Sequence, residues 1–139
     1  MQAFVLLAAL ATGQPVGPHH VECNVSEVLT EHLHAQLTIF VHGERMRVPA
    51  GIGIVQAAGM PVCFYWLHTH DDSGLIHVEA PMGTFTLADF FAVWGEPLSR
   101  SRIGRYTGHV IAKINGAPYT GAPQDIPLTD GERIELIIT

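Results

Sequence analysis

Charged side chains are scarce in this chain, and basic ones are the scarcest. Only 14% of the 139 residues are charged, with 7 Lys and Arg against 13 Asp and Glu, which gives a formal net charge of -6. A nucleic-acid partner would need a basic patch, and an electrostatic membrane-surface binder would need clustered basic residues. The composition argues against both. Hydrophobic residues make up 47%, enough for the core of one domain.

Sulfur-containing side chains are also few. Cys23 and Cys63 are the only cysteines, and in an exported protein two cysteines by default form a disulfide. That disulfide would close a loop of about forty residues and contribute about 3–4 kcal/mol. The alternatives are two buried free thiols or one thiolate metal ligand. The four methionines form no cluster, which disfavours Cu(I) because this ion prefers sulfur ligands.

The apolar run at residues 1–13 is too short to span a bilayer as a helix. It ends in Ala9-Leu10-Ala11, which is typical of a signal-peptide cleavage site, although the usual basic start is missing. We interpret residues 1–20 as an export signal or anchor remnant plus a linker, and residues 21–139 as one domain. A first core strand or a packed hydrophobic helix is the alternative for the apolar run. The expected location is therefore exported: periplasmic, cell-surface or secreted.

Histidine is abundant, with nine residues, and three of them surround one turn signal. Side chains at i and i+2 of a strand share a face, so His68 and His70 point the same way, as do His77 and Glu79. The residues between these pairs, 71–74, read Asp-Asp-Ser-Gly and predict a hairpin turn. Imidazole is the commonest metal ligand in proteins. The hairpin therefore predicts a metal site.

A second pair of histidines lies on another predicted strand. Residues 33–41 alternate with an apolar face, which leaves His32 and His34 on the opposite face. If this strand lies beside the His-rich hairpin, five imidazoles can face one cavity. The alternative is a polar sheet face with ordinary exposed histidines. The predicted metal ligands are His32, His34, His68, His70 and His77.

An imidazole-dominated site suits Zn(II), Cu(II), Ni(II) or Fe(II), and we expect zinc or copper. Asp71 and Glu79 are candidates to orient the imidazoles, or to act as ligands themselves. Trp66 either walls the site or packs in the core. We expect His42 and His109 to be structural or solvated, and His19 and His20 to bind metal weakly if at all.

The remaining chain predicts one helix and further strands. Thr86-Leu87-Ala88-Asp89 matches a capping box, and an aromatic stripe with helical spacing follows until Gly95. Strands are predicted at 62–70, 75–80, 109–115 and 133–138. Residues 99–105, rich in Arg and Ser, are expected to be a solvated loop or the end of the helix region; an anion-binding segment is the alternative.

The segment Lys113-Ile114-Asn115-Gly116, together with residues 126–136, resembles the last two strands of β-grasp domains, including ubiquitin-like sulfur carriers. The resemblance implies an α+β fold: a β-grasp-like mixed sheet with one main helix and an inserted His-rich β-hairpin. Sulfur carriers end in Gly-Gly, whereas this chain ends in Ile137-Ile138-Thr139. Carrier chemistry is therefore not implied.

The histidine motifs, with Tyr65-Trp66-Leu67-His68-Thr69-His70-Asp71 at their centre, are also similar to a group of uncharacterised bacterial exported His-rich proteins. No established activity comes with that resemblance. The expected function is an exported metal-binding domain that acts as carrier, sensor or scavenger. One alternative is a metal-dependent hydrolase or oxidoreductase with an open coordination position, where Asp71, Asp72 or Glu79 would act as base. Another alternative is a structural or interaction module whose hairpin is stabilised by a bound metal ion.

Overall fold

The computed structural model describes residues 21–139. The expectations about the apolar segment, the linker, His19 and His20 lie outside the described residues. The one α-helix in this part of the chain is α1 (Leu87–Trp94), and a short 3-10 helix spans Pro123–Asp125. The strands are β1 (Cys23–Asn24), β2 (Glu31–Val41), β3 (Glu44–Met46), β4 (Ile54–Ala57), β5 (Met60–Tyr65), β6 (Leu67–His68), β7 (Leu75–Ala80), β8 (Leu98–Ser99), β9 (Arg102–Ile103), β10 (Tyr106–Thr107), β11 (Val110–Ile114), β12 (Ala117–Tyr119) and β13 (Arg133–Ile138).

The long strand β2 organises the main sheet. Its second half, Gln36–Val41, pairs in parallel with β13, and its end pairs with β3 in a hairpin. Its first half, Glu31–Gln36, pairs antiparallel with β7, which in turn pairs with β6. The strand order is β12-β11-β13-β2-β7-β6, with β3 also beside β2. The first half of β2 therefore lies next to the His-rich hairpin, as the sequence analysis required.

The core lies between one face of this sheet and α1. Period-two alternation buries Ala35, Leu37, Ile39 and Val41 of β2, as predicted. The helix begins with the predicted capping interaction, in which the Asp89 carboxylate accepts from the backbone N–H of Thr86 at 2.8 Å. It ends at a left-handed Gly95, also as predicted. The helix buries two large aromatic side chains, those of Phe90 and Phe91, in the core.

A smaller sheet, in the order β1-β5-β4, carries the predicted disulfide. Cys23 and Cys63 are bonded across a sequence separation of 40, and both are buried. The disulfide confirms the first interpretation of the cysteines. Free thiols and a thiolate ligand are excluded, because no free cysteine exists among the described residues. The loop after β1 is thereby tied to the strand that leads into the histidines.

Two local predictions were wrong. The strand expected at 62–70 is two strands, because the backbone N–H of Trp66 bonds to Glu22 and the chain passes from the small sheet to the main one. Residues 99–105 are not simply a solvated loop. They contribute to a three-stranded sheet of β8, β9 and β10, in which Ile103 is buried. The first error concerns a hydrogen-bond partner that lies far away in sequence, whereas the strands of the second sheet pair with residues only three to five positions away.

The described residues form a mixed, strand-rich sheet structure with one α-helix, which confirms the α+β class. None of the helices in residues 21–139 is long and apolar enough to cross a membrane.

Candidate metal centre

Three neighbouring strands place histidines in one row across the main sheet. His77 of β7 pairs with His34 of β2 on one side and with His68 of β6 on the other. Two residues further along β7, Glu79 pairs with His32 of β2. Alternate residues of these strands are the buried apolar ones, so the histidines occupy the face opposite the core. Strand parity therefore separates the site from the core.

His77 is the centre of this group. Its ring centroid lies 4.5 Å from that of His34 and 4.5 Å from that of His70. It also stacks on His68, with centroids 5.6 Å apart and planes inclined by only 4°. His32 joins through His34, at 4.7 Å. All five predicted histidines thus form a connected set, and metal binding by them stays a prediction.

The Glu79 carboxylate lies between three imidazoles. Its Oε1 is 3.4 Å from Nε2 of His32 and 3.6 Å from Nδ1 of His77, and its Oε2 is 3.5 Å from Nε2 of His68. Ligand bonds of 2.0–2.1 Å in a tetrahedral zinc site place neighbouring ligand atoms about 3.4 Å apart. The spacing around Glu79 is therefore that of ligands that share one ion. Ligand atoms of His68, His70, His77 and Glu79 all lie within 4.8 Å of one another.

His68 is held in a single tautomer by its backbone surroundings. Its Nδ1 is 2.7 Å from the carbonyl oxygen of Tyr65, and a carbonyl only accepts, so Nδ1 carries the proton. Burial lowers the pKa of His68, which keeps the ring neutral and leaves a lone pair on Nε2. That atom is buried beside Glu79 and has no hydrogen-bond partner. A metal-ligating imidazole has this arrangement, with one nitrogen bonded to a carbonyl and the other free.

The site disfavours both a positive charge on His77 and a negative charge on Glu79, and a bound cation would stabilise neutral imidazoles and an ionised carboxylate. Burial, and then the neighbouring imidazoles, lower the pKa of His77 to about 4. Burial, and then the nearby carboxylate of Glu27, raise the pKa of Glu79 to about 7. His77 Nδ1 and Glu79 Oε2 are also buried without a hydrogen-bond partner. Buried polar atoms are nearly always satisfied, so this group of unpaired atoms calls for an explanation.

Glu27 also lies at the site, and no sequence pattern predicted it. Its Oε1 lies 3.7 Å from Nε2 of His70, and its side chain is 34% exposed. It belongs to the irregular loop between β1 and β2, four residues after the disulfide-bonded Cys23. No periodicity marks this loop, so only the proximity of Glu27 to Cys23 in sequence could have hinted at its position.

Other candidates have different roles. Asp71 is exposed and accepts from the backbone N–H of Ser73 at 3.0 Å, so it shapes the hairpin turn and belongs to neither candidate ligand group. Trp66 is half-buried against the core and meets the ring of Phe85 at 6.1 Å, which fits its core role. His42 and His109 are exposed, as expected.

The five histidines divide into two overlapping sets. The first is the set of His68, His70, His77 and Glu79, and the second is His32, His34 and His77. Comparison of the chain with protein-family models, with curated proteins and with solved structures gives no significant match. The function must therefore be inferred from the residues of the site.

Proposed function

We propose that this chain is a metal-binding domain in which His68, His70, His77 and Glu79 hold one divalent transition-metal ion. The observation that carries the proposal is the buried Glu79 carboxylate, whose oxygens lie 3.5 Å from Nε2 of His68 and 3.6 Å from Nδ1 of His77, close to the spacing of ligands that share one ion. The fixed tautomer of His68 supports it, since Nε2 points at Glu79 with a free lone pair.

A plain polar sheet face explains the site less well. Ordinary surface histidines would be exposed, whereas the side chain of His68 is 1% exposed and that of His77 is 17% exposed. Leaving a buried polar atom unpaired costs about 1–3 kcal/mol. Three such atoms meet here, on His68, His77 and Glu79. A bound ion would satisfy all three at once.

The donor set favours zinc, with Cu(II) next. Three imidazoles and one carboxylate are ligands that both ions accept, and four ligands close a tetrahedral zinc shell. Both cysteines are bonded to each other in the disulfide, so the described residues offer no thiolate ligand.

A carrier, sensor or scavenger fits this site better than an enzyme does, because four protein ligands leave no coordination position for a substrate. His70 is 41% exposed, which gives the ion a route in and out. The same exposure is the one feature that favours the enzyme alternative. If a water replaced His70, three protein ligands and an activated water would remain.

We further propose that the domain is exported and that its frame is β-grasp-like. The disulfide supports export, because such bonds persist in oxidising compartments. The hairpin of β2 and β3, the helix α1, and the final strand β13 parallel to β2 support a β-grasp-like frame. Membership of the exported His-rich family stays a prediction.

The test is elemental analysis and zinc titration of the full chain, purified without a tag. We expect at least one zinc ion per chain, bound more tightly than about micromolar, and loss of this tightest-bound ion in His68→Ala and His70→Ala. His42→Ala removes an exposed histidine outside the cluster and should bind as the wild type does. A wild-type protein that binds no ion in this range would remove the proposal.

A further inference from the structure

We propose that a second divalent transition-metal ion binds beside the first, held by His32 and His34 and sharing His77 and Glu79 with it. This inference rests on the proposed function, because the shared residues belong to the first site. It makes the centre dinuclear, and it gives a role to the two histidines of β2 that the first ion does not use.

The ligand atoms of the second site are already close together. One nitrogen from each of His32, His34 and His77 lies within 4.8 Å of the others. The rings of His32 and His34 meet edge to face at 4.7 Å, and those of His34 and His77 at 4.5 Å. Two histidines at i and i+2 of one strand and a third directly opposite make a compact three-nitrogen set.

Glu79 has the geometry of a bridge. Its Oε1 faces Nε2 of His32 at 3.4 Å, whereas its Oε2 faces Nε2 of His68 at 3.5 Å. The two oxygens of one carboxylate thus point to histidines of different sites. His77 can serve both ions as an imidazolate, which binds one ion through Nδ1 and the other through Nε2 and releases its N–H proton to solvent when the second ion binds.

The two positions differ in exposure, and this sets their order of filling. His68, which only the first ion uses, is 1% exposed, whereas His32, which only the second ion uses, is 43% exposed; His70 of the first site is 41% exposed. The first ion therefore has the drier surroundings, where electrostatic attraction is stronger. The second ion would complete its shell with water, bind more weakly and exchange faster.

Zinc stoichiometry tests the proposal. Native mass spectrometry of the tag-free full chain should show two ions at saturation, and the double variant His32→Ala/His34→Ala should retain only one. The control His19→Ala/His20→Ala, which removes the histidine pair outside the described residues, should still bind two. A wild type that saturates at one ion, a β2 double variant that still binds two, or a control that drops to one would each overturn the second site. A wild type that binds none would instead remove the proposed function itself.

Copper loading of the wild type gives a second measurement that does not depend on the variant's folding. Electron paramagnetic resonance at two equivalents of Cu(II) should show a spin-coupled pair, because both ions share Glu79 and His77. Two equivalents that give only the signal of isolated Cu(II) would refute the shared ligands. Failure to bind a second equivalent would refute the second site.

Discussion

Replacing Glu79 by Gln should affect the metal-free and the zinc-bound protein in opposite directions at alkaline pH. The pKa of Glu79 is raised from 4.5 to about 7 in the folded protein, by burial and by Glu27. The folded state therefore holds the proton more tightly than the unfolded state does. The resulting stability is complete below pH 4.5 and is lost as the pH rises through about 7.

The size of the effect follows from that pKa change. The whole change corresponds to about 3.4 kcal/mol, of which about 2.5 kcal/mol falls between pH 5 and pH 8. Glutamine cannot ionise, so the variant does not lose stability as the pH rises through the pKa of Glu79. The pKa of His77, lowered to about 4, gives a pH dependence of the opposite sign. It is present in both proteins and largely cancels in their difference.

Urea denaturation in the presence of a chelator, at pH 5 and at pH 8, measures the effect. The quantity compared is the unfolding free energy of Glu79→Gln minus that of the wild type. This difference should be about 2.5 kcal/mol more favourable to the variant at pH 8 than at pH 5. Added zinc at pH 8 should reverse the order, because the wild type retains the carboxylate ligand and gains more from binding. Glu44→Gln, which removes an exposed carboxylate outside the cluster, controls for the loss of one negative charge.

Two results would refute this reasoning. An equal effect of Glu79→Gln at both pH values would show that the carboxyl group is not held in a costly buried environment. Equal stabilisation of the wild type and the variant by zinc would show that Glu79 is not a ligand.

Three further predictions concern the frame and one ligand. Removing the disulfide with Cys23→Ala/Cys63→Ala should cost about 4 kcal/mol in urea denaturation, from the entropy of a loop with sequence separation 40, and a loss below about 1 kcal/mol would contradict this. Gly53→Ala should lower the melting temperature more than Gly51→Ala does, because both have positive φ but only a Cβ at Gly53 would collide with the backbone of β6, and an equal effect would argue against that close approach. Nitrogen-15 NMR of the metal-free protein should show His68 with its proton on Nδ1, and the opposite tautomer would remove the proposed preparation of Nε2 for metal.

Periodicity predicted the parts of the site that lie on regular strands. Alternation along β2 and β7 assigned His32, His34 and His77 to the face opposite the core, and the structure confirms this assignment. The Asp-Asp-Ser-Gly turn predicted the return of β7, which begins at Leu75. These features are local, and each follows from the two-residue repeat of a strand or from turn chemistry.

The parts that sequence reasoning missed depend on long-range placement. Glu27 reaches the cluster from an irregular loop without periodicity, and the switch between sheets at Trp66 depends on a hydrogen bond to Glu22. The high pKa of Glu79 arises only when β2, β6 and β7 close around it and exclude water. Desolvation of this kind cannot be inferred from any one strand, so Glu79 could be proposed from sequence only as a residue that orients the imidazoles or as one possible ligand.

The opposite faces of β2 have a consequence for how this sequence can vary. On one strand, His32 and His34 face the site while Leu33 and Ala35 face inward. Insertion or deletion of a single residue before Gln36 would exchange the two faces and drive imidazoles into the core. Single substitutions at the histidines can therefore remove the site and spare the fold, whereas a shift in chain length within this strand would damage both. Length variation should be confined to the turns.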